Sequence, residues 1–295
     1  MTGQSAPPPR PPASHTGPHD PPPTPRPAEL PPDSPTVSNA DGRTTRGWTV
    51  QHTTGDAGPF HQRPVPEPAH HEVWVHEVVR PALVLGSTQS EALLDLERAA
   101  ADGVEVCRRR SGGGIVPLVP GADCWVDVIV PRHSPLWDDD VGRAFAWLGR
   151  AWADTLRHLR SDAARPGPEP EVYDGPLLGG AAGRLICFAS LGPGEVTVGS
   201  GKVVGVSQRR TRIAARFQSV AVGRWRPEAL GPYVRSEALT EAGVDLSEVA
   251  AGLPEEASSW RWPAPVELAA ELCAHLPAVP PTTDDGGDGR SVNAM

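Results

Sequence analysis

The chain is almost without lysine. Of its 27 basic residues (26 Arg + 1 Lys), the one lysine is Lys202. Lysine is ordinarily among the commonest residues, so its survival at one position points to a place where a compact ammonium is needed and a planar guanidinium will not serve. Cysteine is also scarce. Cys107, Cys124, Cys187 and Cys273 are widely spaced, with no CxxC pair, which suits a reducing compartment and excludes a disulfide framework or a zinc site. Positive charge is in deficit: the formal net charge is -9, which excludes a general nucleic-acid binder because phosphate binding needs a basic face. No apolar run approaches the roughly 20 residues of a membrane span, and no signal peptide opens the sequence. The expectation is a cytoplasmic protein with no nucleic-acid or membrane partner and no bound metal.

What is present is enough for a full core, since 38% of the 295 residues are hydrophobic. One or two domains are expected. Fourteen of the first 40 residues are proline, and apolar side chains there are nearly absent. Such a segment buries too little surface to offset its ordering entropy, so residues 1–46 read as a disordered tail. Residues 47–276 read as one folded domain, and the Pro/Asp/Gly-rich 277–295 as a second tail.

Within the domain, 71–78 alternates like a half-buried strand and 81–86 is a shorter, fully apolar one. A helix capped by Ser90 is expected to run to Gly103. A strand over 104–107 then delivers Arg108-Arg109-Arg110-Ser111-Gly112-Gly113-Gly114. Three glycines permit positive φ and let backbone N–H groups approach a ligand, and the arginines add forked donors suited to carboxylate or phosphate. A strand is expected over 124–130. Asp138–Asp140 should cap a helix running to Leu159, with an apolar stripe of Val141, Phe145, Leu148, Trp152, Leu156 and Leu159. Residues 161–183 read as surface loop, and 184–198 as a strand, a Gly-Pro-Gly turn and the first arm of a hairpin. Gly199-Ser200-Gly201 turns that hairpin, and Lys202 starts the return arm. A further strand spans 217–222, and helices are expected near 236–251 and 264–276.

Three motifs in this order carry a resemblance: Leu85-Gly86-x-x-Gln89, then Arg108-Arg109-x-Ser111-Gly112-Gly113-Gly114-x-Val116, then Gly201-Lys202-x-x-Gly205-x-Ser207-Gln208-Arg209. Over roughly residues 47–250 the chain resembles the lipoate–protein ligase family, within the biotin/lipoate ligase superfamily. The resemblance implies an α/β class II synthetase-like domain with a mixed, mostly antiparallel sheet flanked by helices. It implies an enzyme attaching lipoyl or octanoyl to a lysine of a lipoyl carrier domain, such as the E2 subunit of 2-oxoacid dehydrogenases or the glycine cleavage H protein. In the ligase version ATP and Mg2+ convert lipoate or octanoate to an acyl-adenylate. Arg108, Arg109, Ser111, Gly112, Gly113, Gly114, Gly205 and Ser207 would then bind substrate and adenylate. Gln89 would lie near the mouth of the acyl pocket, and Lys202 would contact carboxyl and phosphate oxygens.

The family usually has an aromatic and a histidine where this chain has Pro117 and Leu118, and an acidic dipeptide where it has Gly192-Pro193-Gly194-Glu195. These departures leave two alternatives open. In one, the chain resembles the cysteine-dependent octanoyltransferases, which use neither ATP nor metal. Cys187 would attack an acyl thioester and Lys202 would stabilise the oxyanion and the thiolate; otherwise Cys187 is a buried apolar cysteine on a strand. In the other, the chain is a non-catalytic lipoyl- or adenylate-binding subunit.

Overall fold

In the computed structural model the described residues are 44–161, 167–257 and 260–280. Nearly all of the two expected tails, 1–46 and 277–295, lies outside them. A short strand β1 (Thr44–Thr45) turns through Arg46 and Gly47, at φ 53° and 90°, into β2 (Trp48–Gly55). Helix α1 (Ala57–Gln62), β3 (Glu72–Val78) and β4 (Ala82–Leu85) follow. Next come α2 (Leu96–Ala101), β5 (Glu105–Arg108), β6 (Val116–Leu118), β7 (Asp123–Pro131) and α3 (Ala146–Ser161). The chain continues with β8 (Pro170–Val172), α4 (Gly180–Leu185), β9 (Val196–Val198), β10 (Gly201–Arg210) and β11 (Ala214–Val222). It closes with α5 (Ser236–Ala242) and α6 (Pro265–His275).

Eight strands form one sheet in the order β1-β2-β3-β7-β11-β10-β9-β8, and three form a second, β5-β4-β6. Among the described strands, only β2–β3 and β4–β5 pair in parallel. This is the mixed, mostly antiparallel α/β sheet with flanking helices that the motifs implied. Side chains alternate across the large sheet. One face, with Val126, Val128, Ala215 and Phe217, packs on Leu148, Trp152, Leu156, Leu268 and Leu272 of α3 and α6. The opposite face, with Trp125 and Val222, packs on Phe60, Val84, Val116 and Leu118 from α1 and the small sheet. Because both faces are covered, β3 is buried at every position except Glu77, not half-buried as its alternation suggested.

Other expectations change for identifiable reasons. Ser90 caps a 3-10 turn, Glu91–Leu93, and no helix runs from it to Gly103. Leu94 is drawn into an antiparallel bridge with Val234, and α2 starts afresh with Asp95 accepting from the Arg98 N–H at 3.0 Å. Asp138 and Asp140 are spent on Arg143 and on local N–H groups, so the long helix begins at Ala146 and Val141 is 53% exposed. The stretch read as surface loop contains β8, which adds to β9, and most of α4, whose last two residues take the place of the start of the strand expected from 184; both elements are too short for periodicity to reveal. Cys187 lies in a 3-10 turn, Cys187–Ala189, not on a strand. Its N–H donates to the Ile115 carbonyl at 3.0 Å and the chain curls there.

Candidate functional site

Between the two sheets lies a cavity of about 40 Å³. Val84, Val116 and Leu118 of the small sheet face Trp125, Gly205 and Val220 of the large one, and Cys187 and Phe188 stand at one side. The lining is mostly aliphatic and aromatic, the surface that a hydrocarbon chain enters at the expense of ordered water. Ser207, Gln218, Arg109 and His61 supply its polar atoms.

A bulge in β10 brings Lys202 to this face. Lys202 pairs with Thr197 and Val204 with Val196, so Val203 is the extra residue, and Val203 and Val204 both enter the core on the α3 side. The shift re-aims Lys202 onto the face of Gly205 and Ser207; a Cβ on Gly205 would lie 3.4 Å from Lys202 Cε. The side chain is 2% exposed. Its ammonium donates to the carbonyls of Cys187 and Ser190, each at 3.0 Å, and pairs with Glu195 Oε2 at 2.7 Å. Three donors meet three acceptors, which is the full capacity of an ammonium. Glu195 Oε2 also accepts from the Gly192 N–H at 2.8 Å. The single lysine therefore clamps the turn that carries Cys187.

The arginine–glycine loop is organised from within. Arg109, 4% exposed, donates through Nε and Nη2 to the Gly112 carbonyl and through Nη2 to that of Gly114. Gly113 has φ 101°, and a Cβ on Gly114 would fall 2.6 Å from the Cys187 nitrogen. Gly112 has open space around its Cα. Ser111 Oγ lies 3.0 Å from Ser207 Oγ and faces Gln218 Oε1 at 3.5 Å. Arg108 turns elsewhere, donating to the carbonyls of Gly86 and Gln89 and approaching Glu91 at 3.6 Å. Gln89 accepts from the Gly86 N–H and donates to the carbonyls of Arg184 and Leu185. It is not among the residues that line the cavity.

Behind the cavity is a buried polar network that sequence reasoning missed. Asp127 Oδ2 accepts from Arg216 through both Nε and Nη2 and from His76 Nε2 at 3.1 Å; Oδ1 accepts from Trp125 Nε1 at 2.8 Å. Burial opposes its charge, but Arg216 and His76 overcome this and hold the carboxyl well below its usual range. Gln218 Nε2 reaches Asp127 Oδ2 at 3.4 Å and His61 Nδ1 at 3.3 Å. Burial, with Arg216 and Arg109 nearby, lowers His61 to about 3 against the pull of Asp127. No local signal marks His61 or Gln218: each is one polar residue in an otherwise ordinary segment, and they meet across 157 positions.

The family model of the lipoyl protein ligase A/B catalytic domain matches residues 62–221, more than half of the chain. The chain belongs to the lipoyl protein ligase A/B catalytic domain family. No curated protein matches it in sequence. Among solved structures, one similar chain is a bi-partite lipoate protein ligase from Thermoplasma acidophilum, described with its E2 lipoyl domain. It is 15% identical, with 69% of this chain and 68% of that chain covered and a TM-score of 0.49. Another is P. falciparum LipL1 in complex with lipoate, 14% identical over 70% of this chain and 48% of that one, TM-score 0.46.

In this lipoyl ligase A/B domain the motif residues Arg109, Ser111, Gly114, Ser207, Gly205, Cys187 and Lys202 gather around the cavity or its Cys187 wall, while Arg108 and Gln89 form a separate cluster under the Gly86 turn. Cys187 alone of the four cysteines lines the cavity. Burial pushes Cys107 up to about 12 and Cys273 to about 11, and raises Cys124 further still, so these three thiols stay protonated and unreactive. Among the described residues no group of three or more His, Cys, Asp or Glu side chains forms a protein-built metal site.

Proposed function

We propose that this domain transfers a medium-chain acyl group, octanoyl or lipoyl in size, from a thioester to the lysine of a lipoyl carrier domain, with Cys187 as the nucleophile. The observation that carries this reading is Cys187 at the wall of an apolar cavity, on a turn clamped by Lys202. The Cys187 thiolate would attack the donor thioester carbonyl, and collapse of the tetrahedral oxyanion would release the donor thiol and leave acyl-Cys187. The carrier amine would then attack that thioester, forming the amide and returning the Cys187 thiol. Lys202 and Glu195 hold the turn, and so the sulfur, in register with the cavity.

The adenylate route receives less support from the same geometry. Arg108 and Arg109 spend their guanidinium donors on main-chain carbonyls, and the Lys202 charge is balanced by Glu195. A phosphate would have to displace those partners. For ATP, the glycine-loop backbone, Ser111, Ser207 and the remaining guanidinium N–H groups would be the donors.

The test is the intact mass of an apo lipoyl carrier domain after incubation with the full chain. One tube holds an octanoyl-loaded donor carrier without ATP; the other holds octanoate or lipoate with Mg-ATP. Gain from the loaded donor is expected. Gain only with Mg-ATP makes the protein a ligase and Cys187 structural, and gain in neither tube makes it a binding subunit.

A further inference from the structure

We propose that the Phe188 ring is a door between the apolar cavity and an open groove beside it, and that a straight acyl chain reaches the cavity only when the ring swings aside. This rests on the acyl-transfer reading above for the reason a chain comes to Cys187.

The groove holds about 400 Å³, against about 40 Å³ for the cavity. Leu178, Leu191, Val244 and Val249 make its sides apolar, and Leu178 is 51% exposed, so the groove opens to solvent. Phe188 is the one residue common to the two linings. Its neighbours divide between them: Cys187 lines the cavity, while Ala189 and Ser190 line the groove.

The cavity as it stands has room for about three water molecules, whereas pockets that enclose small organic ligands run to about 300–1,000 Å³. An acyl chain joined to Cys187 therefore enters only where a wall gives way. Val84 and Val116 are paired in the small sheet and Val220 in the large one, and β-branched side chains on paired strands are stiff. Phe188 stands on a 3-10 turn outside both sheets. Its backbone is fixed on either side, because the Lys202 ammonium donates to the carbonyls of Cys187 and Ser190. What is left to move is the ring, by rotation about its side-chain bonds between staggered wells.

The closed ring is 2% exposed. Its edge rests on bare main chain, with Cζ 3.6 Å from where a Cβ on Gly205 would lie. Lys202 Nζ is 5.1 Å from its centroid, and the Trp225 ring is 5.7 Å away. Dispersion and a cation–π contact keep the ring in place. No hydrogen bond ties a phenyl group, so the door is held shut without being locked.

The experiment uses the full chain and alkyl methanethiosulfonates, which form a mixed disulfide with a thiol and release a sulfinate. Methyl and octyl reagents are compared by intact mass, each rate taken relative to that with a free thiol, and Cys187→Ala assigns the labelled site. In the wild type the octyl reagent is expected to label Cys187 about tenfold more slowly than the methyl one, a barrier of about 1.4 kcal/mol. In Phe188→Ala the two rates should become about equal, because the long chain then has an open path. A general loosening of the fold would speed both reagents and leave the ratio as it was. Phe188→Leu removes the ring and keeps an apolar side chain, and serves should Phe188→Ala not fold. Transfer from an octanoyl-loaded carrier without ATP is read on the same proteins. Equal rates in the wild type, an unchanged ratio in the folded variants, or no labelling of Cys187 in any of them overturns the inference. A changed ratio with no transfer by any of the proteins would instead sink the acyl-transfer reading and leave the door standing.

Discussion

The Lys202 ammonium and the Glu195 carboxylate meet at 2.7 Å, with their side chains 3% and 7% exposed. Among the described residues Glu195 is the only charged partner of the chain's single lysine, and the remaining donors of that lysine go to the two carbonyls that bracket the Cys187 turn. A guanidinium, planar and longer, cannot reproduce this three-acceptor cradle beside Gly205.

Breaking such a pair should therefore be costly and the two residues should be coupled. Lys202→Met strands a buried carboxylate and is expected to destabilise the fold by about 3–5 kcal/mol. Glu195→Gln in the Lys202→Met background should be much milder than either change alone. Urea unfolding of the four proteins measures the coupling, and strict additivity would mean that the pair contributes nothing as a pair.

Cys187→Ala is expected to abolish transfer from an octanoyl-loaded carrier while shifting the melting temperature by only a degree or two, because the side chain is small and only partly buried. Cys107→Ala, a change outside the cavity lining, should retain transfer. Full activity in Cys187→Ala would remove it as the nucleophile.

The three loop glycines should not be equivalent. Gly114→Ala drives a methyl group toward the Cys187 nitrogen at 2.6 Å and the Gly183 oxygen at 2.8 Å, both backbone atoms. It is expected to cost about 1–3 kcal/mol and displace the Cys187 turn. Gly112→Ala meets nothing within 4 Å and should stay within about 0.5 kcal/mol of wild type. Thermal or urea unfolding separates them, and equal effects would show that the loop is not packed as described.

Stability should fall as pH drops below neutrality. Burial lowers His61 to about 3 and His71 to about 4, against about 6.5 in an unfolded chain. Between those values the unfolded state binds more protons, so stability is fully present above about 6.5 and is lost as pH falls. Asp123, raised by burial to about 6, works the other way: its contribution is present at low pH and is lost as pH rises through about 6. Two histidines outweigh one carboxyl, so the urea midpoint at pH 4.5 should lie below that at pH 7. The drop should shrink in His61→Phe. A midpoint that rises on acidification would refute the buried neutral state of these rings.

Much of the molecule was legible in the chain itself. The glycine loop, the hairpin turned by Gly199–Gly201 and the strands over 81–86 and 124–130 rest on turn chemistry and short apolar runs, and the family resemblance on three motifs in order, all of which act over a few residues. The lone Lys202 stood out by composition, and Cys187 only through the resemblance to the cysteine-dependent octanoyltransferases. What the tertiary structure decided was partnership. Leu94 left its helix for Val234, Cys187 curled off its expected strand against Ile115, and the β10 bulge turned Lys202 to the cavity face. Arg109 closed on its own glycine loop, while Arg108 left the site. His61, Asp127 and the β11 pair Arg216 and Gln218 come together from three separate elements. Local sequence carries no trace of such meetings, because a polar side chain's partner is set by sheet register and layer packing between segments tens to more than a hundred residues apart.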